Sequence, residues 1–272
     1  MWGASVGVRL SRCPIPSRRL RQRIFSTIYG SKYPAIDEAE LEKPLDEFRS
    51  LNELFTRGVP PGLRPPSANA DIEFVAPCDS TVQDVGTLTD DTLLTIKGIA
   101  YRLSSLAPKS EIAPYRDGNF AIMFLSPRDC HRVFSPQSGT LDALTHVPGY
   151  RLLVHPPYQR AEYPVFTLNE RLVMELTTTL GKCLLIMIAG WGVGHITHPF
   201  DTGLKPRGRR ITRVEMSDKA VRSGQWLATF ELGSTVVLIT EPGQHRAVVE
   251  PNDVLKYGQP LFGPQSDEGE AA

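Results

Sequence analysis

The stretch FELGSTVVLI, residues 230–239, decides how the C-terminal part of this chain folds. A Gly-Ser-Thr tripeptide interrupts what otherwise reads as one buried strand. Glycine costs about 0.5–1 kcal/mol in a strand interior, and two buried hydroxyl groups need hydrogen-bond partners. The tripeptide therefore predicts a β-bulge, a turn between two short strands, or a chemical role for its serine.

Short segments of strand-like composition recur upstream of this stretch, with turn residues between them. With its own C-terminal half they cover residues 74–77, 81–85, 93–97, 120–125, 140–147, 172–177, 184–189, 211–214, 226–230 and 235–239. No helix-length periodic segment alternates with them, which disfavours a parallel doubly wound sheet. We therefore predict a β-rich α+β fold whose main domain is an antiparallel barrel or sandwich, preceded by short N-terminal helices that associate with a membrane.

The N-terminal segment is cationic, although thirty basic and thirty acidic residues leave the whole chain without net charge. Seven basic residues and no acidic residue precede Asp37. The segment SRRLRQRIFSTIYG, residues 17–30, has the pattern of a basic helix that lies on an anionic membrane surface. Its apolar face consists of Leu20, Ile24, Phe25 and Ile28. A surface helix docked on its own domain is an equal alternative, and a mitochondrial transit peptide ranks third.

The proline-rich stretch PPGLRPPSANA, residues 60–70, marks a boundary between two parts of the chain. We expect a basic amphipathic helical segment over 1–60, with a short helix in SLNELFTRG that Gly58 ends, a β-rich domain over 61–264 and a disordered tail over 265–272. No apolar run reaches the roughly 18–20 residues that span a bilayer. Four scattered cysteines without a CxxC pair indicate free thiols in a reducing compartment, and the balanced charge disfavours a nucleic-acid partner.

A serine that directly follows a glycine can cut its own chain if the backbone is strained and a base lies nearby. The Oγ of Ser234 would attack the carbonyl of Gly233, and the resulting ester would leave by elimination after a proton is taken from the serine Cα. Hydrolysis of the dehydroalanine then leaves a pyruvoyl group at residue 234. This ketone can condense with an amine substrate and accept the electrons of a decarboxylation.

The Gly-Ser-Thr tripeptide belongs to one of six motifs along the chain. They are ELFTRGVPPGLRP, VAPCDSTV, IKGIAY, LSPRDCHRVFSP, FTLNERLV and FELGSTVVLI. In the same order they resemble FFTR…KPGxRP, SPADG, KGxxY, LSPxDYHRxHxP, NERxV and FxxGSTVV of the phosphatidylserine decarboxylase family, with Leu54 in place of the first Phe. The resemblance extends over about residues 17–262, and six motifs in order are far more specific than any one of them.

The resemblance implies a proenzyme that cuts itself between Gly233 and Ser234. The products would be a large N-terminal β chain and a small α chain that begins with the pyruvoyl group. The implied reaction is pyruvoyl-dependent decarboxylation of phosphatidylserine to phosphatidylethanolamine and CO2, without a metal, at an anionic membrane surface. We expect a peripheral protein on the cytoplasmic side of a bacterial-type cell membrane, with the mitochondrial inner membrane ranked lower. Whether the protein forms a homodimer is left open.

One proposed catalytic residue departs from the family pattern. Asp79 matches the aspartate of the family's self-cleavage relay and Ser234 its serine, whereas an Asx turn is the ordinary alternative for such an aspartate. The family has two histidines three residues apart, but this chain keeps only His131 and has Phe134 at the second position, to which the relay role belongs. Either His131 does both jobs, or cleavage is slow but sufficient, or the chain is an uncleaved, inactive relative that binds phospholipid or a partner.

Four other residues are weaker candidates. His195 and His198 are candidates for the missing base or a metal site, but two histidines without a third ligand are more often surface or packed residues. Cys78 and Cys130 each adjoin a proposed catalytic residue, although buried unreactive thiols are commoner than redox pairs. A serine hydrolase built from the same aspartate, histidine and serine is disfavoured because the GxSxG elbow is absent.

Overall fold

The computed structural model describes residues 10–31, 36–65, 67–95, 97–191, 196–204, 208–231, 234–243 and 245–265. The helices bounded within these ranges are α1 (Arg18–Ser31), α2 (Leu51–Phe55), α3 (Leu103–Leu106) and α4 (Val165–Leu168). Short 3₁₀ turns occupy Glu38–Glu40, Leu45–Glu47, Ala113–Tyr115 and Pro156–Tyr158. The predicted tail falls almost wholly outside the described residues, and the prediction for it stays untested.

Strands make up most of the remaining regular structure. They are β1 (Phe74–Val75), β2 (Ser80–Thr87), β3 (Thr92–Leu94), β4 (Ala100–Arg102), β5 (Asn119–Leu125), β6 (Arg132–Phe134), β7 (Gly139–Val147), β8 (Arg171–Thr178), β9 (Gly181–Ala189), β10 (Ile196–Thr197), β11 (Thr212–Val221), β12 (Trp226–Phe230), β13 (Ser234–Thr240), β14 (His245–Ala247), β15 (Val254–Leu255) and β16 (Pro260–Pro264). All ten predicted strand positions contain a strand, so the β-rich prediction is confirmed.

Eight strands form one antiparallel sheet in the order β11-β7-β8-β9-β13-β5-β2-β15. Side chains from the sheets β1-β16-β14 and β10-β12-β6 pack over one face, and β3, β4, α3 and α4 cover the other. The closed-barrel form of the prediction is wrong, because β11 and β15 are the two edges of the sheet and do not pair within the described residues. Separate layers bury both faces, so the sheet does not have to close on itself.

Strand β13 lies at the centre of this sheet and is buried throughout. Val236 and Leu238 enter the apolar cluster on one face, and Val237 and Ile239 enter the cluster on the other. A strand buried on both faces explains the unbroken VVLI run. The predicted break is confirmed, since β12 ends at Phe230 in one sheet and β13 begins four residues later in another. Gly233 lies outside the described residues.

Helix α1 docks on its own chain. Phe25 is fully buried in a third apolar cluster with Leu41, Leu45, Phe48 and Leu54. The guanidinium of Arg21 donates to the carbonyl oxygens of Ile15 and Asp46 at 2.6 and 2.8 Å. The docked alternative therefore describes this helix, and its contact with a membrane stays a prediction. No helix among the described ranges is long and apolar enough to cross a bilayer.

Candidate active site

Ser234 is the first residue of β13, in the middle of the eight-stranded sheet. Its Cα lies opposite Leu125 of β5 on one side and Ala189 of β9 on the other. The side chain is fully buried, and its Oγ has no hydrogen-bond partner among the described residues. A buried unpaired hydroxyl costs about 1–3 kcal/mol. Stability therefore does not account for a serine at this position, and its Oγ is available for chemistry.

His131 reaches the same end of the sheet from the turn that follows β5. In this turn the Asp129 Oδ2 accepts hydrogen bonds from the backbone N–H and the hydroxyl of Ser126, both at 2.7 Å. The carbonyl oxygen of His131 then accepts the N–H of Phe230 at 3.0 Å. Since Phe230 ends β12 four residues before Ser234, the fold brings His131 and Ser234 to one region.

The imidazole of His131 is fully buried against Phe55, with ring centroids 3.8 Å apart. Its Nδ1 lies 2.9 Å from the carbonyl oxygen of Asp129, which assigns the proton to Nδ1. Nε2 is left without a partner among the described residues. Burial lowers the pKa of His131 to about 3, against the opposing effect of the Asp129 carbonyl. The ring is therefore a neutral but weak base near neutral pH.

Asp79 is held in a ring of charges. Its Oδ1 accepts the backbone N–H of Tyr257 at 2.9 Å, and its Oδ2 accepts Arg64 Nη2 at 3.1 Å. Lys256 Nζ lies 3.6 Å from the same Oδ2. Arg64 and Lys256 each also pair with Glu40 at 2.9 Å, so two cations and two carboxylates close the ring. No sequence motif predicted this ring, although Arg64 stands in the motif ELFTRGVPPGLRP.

Phe134 is connected to Asp79 through Tyr257. Its ring stacks on that of Tyr257, with centroids 3.8 Å apart and planes 16° from parallel. Its N–H donates to the carbonyl oxygen of Pro77 at 2.8 Å. The position where the family pattern has its second histidine therefore contacts Tyr257, the residue whose backbone N–H binds the Asp79 carboxylate.

The three residues assigned to the relay are near one end of the sheet but are not hydrogen-bonded to one another. Within the described residues, Ser234 Oγ and His131 Nε2 have no partner, and Asp79 is engaged by the charge ring. Their individual roles in cleavage and decarboxylation stay predictions.

Glu170, which the sequence analysis also missed, shares a row of the sheet with Ser234. The N–H of Ala189 donates to the carbonyl oxygen of Glu170 at 2.9 Å, and Ala189 lies opposite Ser234. Leu172 and Val236, two residues further along their strands, both enter the same apolar cluster. Because side chains alternate along a strand, Glu170 and Ser234 project from one face, about 10 Å apart, on either side of Ala189.

A cleft of about 330 Å³ opens beside Glu170, and His146 and His198 line it with Ile196 and Phe200. Glu170 Oε1 lies 3.1 Å from His146 Nε2, and Oε2 pairs with Arg151. Burial raises the pKa of Glu170, but the hydrogen bond from His146 and the charge of Arg151 outweigh it and lower the pKa overall. The NER motif was the sequence signal for this carboxylate.

The other weak candidates have ordinary surroundings. His198 lies in this cleft, and its Nδ1 has no partner among the described residues, whereas His195 lies outside them. Cys78 and Cys130 are buried, and burial raises the pKa of both thiols, that of Cys130 to about 11. Thiols that stay protonated near neutral pH are poor nucleophiles, so a structural role is favoured.

Comparison with known proteins identifies what this chain resembles. The family model described as phosphatidylserine decarboxylase matches residues 51–263. A phosphatidylserine decarboxylase proenzyme of Anaeromyxobacter sp. (strain K) is 34% identical over 260 residues, which cover 93% of this chain and 89% of the relative. Proenzymes of the same name from Nitrosococcus oceani and Myxococcus xanthus are 33% and 34% identical, covering 89% and 84% of this chain and 80% of each relative.

Proposed function

This chain belongs to the phosphatidylserine decarboxylase family, and we propose that it cuts itself between Gly233 and Ser234 and then decarboxylates phosphatidylserine to phosphatidylethanolamine. The observation that carries the proposal is the buried, unpartnered Oγ of Ser234 at the start of a central strand. Nothing in the packing of an antiparallel sheet requires a hydroxyl at that point, whereas self-cleavage does.

The surroundings of residue 234 fit a pyruvoyl group derived from it. The position is fully buried between Leu125 and Ala189, and no described side chain competes for the serine hydroxyl. A pyruvoyl group there would supply an electrophilic carbonyl and an electron sink for loss of carbon dioxide. No metal is needed for either chemistry.

His131 and Asp79 take different parts in this proposal. His131 is the neutral imidazole of the region, with its proton held at Nδ1 and a free lone pair at Nε2. Its low pKa makes it a weak base, so we infer that self-cleavage is slow but sufficient, since each chain needs only one turnover. Asp79 positions the C-terminal piece, because its partners Lys256 and Tyr257 lie beyond the cleavage point.

The proposed setting is the anionic surface of a membrane that holds the phospholipid substrate. We place the protein on the cytoplasmic side of a bacterial-type cell membrane, with the mitochondrial inner membrane as the lower-ranked site. A second candidate function, an uncleaved and inactive phospholipid-binding relative, is suggested by Phe134. The likeness to proenzymes over most of the chain supports the enzyme instead.

Denaturing electrophoresis and mass spectrometry of the purified chain test the proposal. We expect two fragments, the smaller containing the 39 residues from 234 to 272 and lacking a free amino terminus. The matched control is Ser234→Ala, which should remain one chain and release no carbon dioxide from phosphatidylserine. An intact wild-type chain with an unmodified serine, or decarboxylation by the alanine variant, would refute the mechanism.

A further inference from the structure

A group of exposed aromatic and aliphatic side chains lies at the end of the sheet where β13 begins. Most belong to the loop 148–164, which joins β7 to α4, and one follows β9. We call this group the aromatic rim, and its members, between 37% and 67% exposed, are Tyr150, Leu152, Leu153, Tyr158, Tyr163 and Trp191. Single exposed apolar residues need no explanation, but six on one loop and its neighbour do.

One arm of the rim is attached to the strand end beside Ser234. The Asn169 Oδ1 accepts the N–H of Leu152 at 2.9 Å. The Asn169 Nδ2 donates to the carbonyl oxygens of Leu152 at 2.9 Å and Ala189 at 2.8 Å. Ala189 lies directly opposite Ser234, and Trp191 follows it by two residues. This arm therefore starts within one strand spacing of the candidate active site.

The other arm is attached to the neighbouring position of the same strand. The ring of Tyr158 lies 5.7 Å from that of His155, which lies edge-on to Phe124 at 5.1 Å. Phe124 is the register partner of Thr235, the second residue of β13. The buried amide of Gln159 also exchanges hydrogen bonds with Gln83 at 2.8 and 3.0 Å. The rim is thus held in place by side-chain contacts, which is a reason to expect a working surface.

We propose that the aromatic rim, more than helix α1, inserts into the interface of an anionic lipid bilayer and holds the candidate active site against it. The inference rests on the proposed function, because a phospholipid substrate has to reach residue 234 from a membrane. Tyrosine and tryptophan favour the bilayer interface, where the ring is buried and the polar atom stays wet.

Charges around the rim suit an anionic surface. Lys97 and Arg160 are exposed there, against the single exposed carboxylate of Glu162 on the loop. The Lys97 ammonium donates to the carbonyl oxygen of Pro156, which fixes it on the loop. Helix α1 packs Phe25 against its own chain. Its Leu20 and Ile28 are 46% and 40% exposed, so the helix is the competing surface for a bilayer.

Sedimentation of the purified full chain with vesicles of phosphatidylcholine and about one third phosphatidylglycerol tests the rim. The variant Leu152→Ser/Leu153→Ser should bind at least about tenfold more weakly, because two leucine side chains no longer enter the interface. The matched control Ile72→Ser/Val248→Ser removes two apolar side chains elsewhere that are somewhat more exposed than the leucines, and it should stay within about twofold of wild type. The helix variant Arg19→Glu/Arg23→Glu should lose less binding than the rim variant.

A second measurement uses the chain without a destabilising change. Lipids brominated in the upper acyl chain should quench tryptophan fluorescence of the wild type, and Trp191→Phe should remove most of the quenching. Unchanged binding of the rim variant, an equal loss in its matched control, a larger loss in the helix variant, or quenching that survives Trp191→Phe would each overturn the proposal. None of these readouts uses decarboxylation, so failure of the proposed reaction would not be mistaken for failure of the rim.

Discussion

Restoring a histidine at position 134 should accelerate self-cleavage. Phe134 stacks on Tyr257, whose backbone N–H binds Asp79, so an imidazole at this site would lie in the neighbourhood of a carboxylate, whose charge favours the protonated imidazole. The wild-type chain offers only His131, whose pKa burial lowers to about 3. A better-matched general base contributes about 10²–10⁴-fold, and we expect about a hundredfold because His131 already supplies a weak one.

The same substitution should change how cleavage depends on pH. His131 is neutral throughout the range from pH 5 to 8, so wild-type cleavage should vary little there. In Phe134→His the new imidazole has to lose its proton before it can act as a base. The rate should therefore rise with pH through the pKa of that residue and level off above it.

Cell-free translation followed by denaturing electrophoresis measures both effects as the half-time of chain conversion. Phe134→Gln is the matched control, since it likewise places a polar side chain at this position but cannot act as a base. If the histidine and glutamine variants were to convert at the same rate and with the same pH dependence, the missing histidine would not be what limits cleavage.

Two further changes test the site. Removing the buried imidazole with His131→Gln should abolish decarboxylation and also flatten the pH dependence of stability. The pKa of His131 in the folded state lies below the ordinary value of 6.5. The wild type should therefore lose up to about 1.4 kcal/mol of unfolding free energy per pH unit as the pH falls from 6.5 toward 3. Urea titrations at several pH values measure this loss, and an equal loss in the wild type and His131→Gln would contradict the prediction. Replacing Arg64 with Gln leaves the carboxylates of Glu40 and Asp79 to share Lys256 and should lower the free energy of unfolding in urea by about 3 kcal/mol. Arg64→Lys should recover part of that loss. An unchanged stability of Arg64→Gln would show that the charge ring does not stabilise the fold.

Local pattern was enough to predict most of the sheet. The long buried strands were predicted from apolar runs between turn residues, and the helix over residues 17–30 was predicted from the helical spacing of its apolar residues. Short strands such as β10 and β15, with two residues each, carry no such signal. Barrel closure was predicted wrongly because it depends on whether β11 and β15 meet, and pairing between strands far apart in sequence is not written in either one.

Part of the candidate site could likewise be predicted from the sequence, and part could not. The residues that motifs identify, Asp79, His131 and Ser234, do lie at one end of the sheet. The charge ring could not be found in this way, because Glu40 and Lys256 stand 216 residues apart and neither has a distinctive neighbourhood. Arg171 of the NER motif shows the opposite case, because a residue in a motif can have a structural role and no part in the reaction.

Arg171 is buried and has no carboxylate partner among the described residues. Its guanidinium donates to the carbonyl oxygens of Ser105, Leu106, Thr167 and Asn169, so it fastens two helical turns to β8. Burial lowers its pKa to about 10, which still leaves the side chain charged near neutral pH. Its place in the motif is explained by structure alone.

The position of β13 determines what a cut ahead of Ser234 would leave behind. The shorter piece would contain β13, a central strand of the sheet, which pairs with β5 along Ser234–Ile239 and with β9 along its whole length. Removing this piece would separate β5 from β9 and expose both apolar clusters to water. The two pieces would remain a single folded body, and besides the scissile peptide bond the precursor would lose only the amino group of Ser234, released as ammonia when the dehydroalanine is hydrolysed.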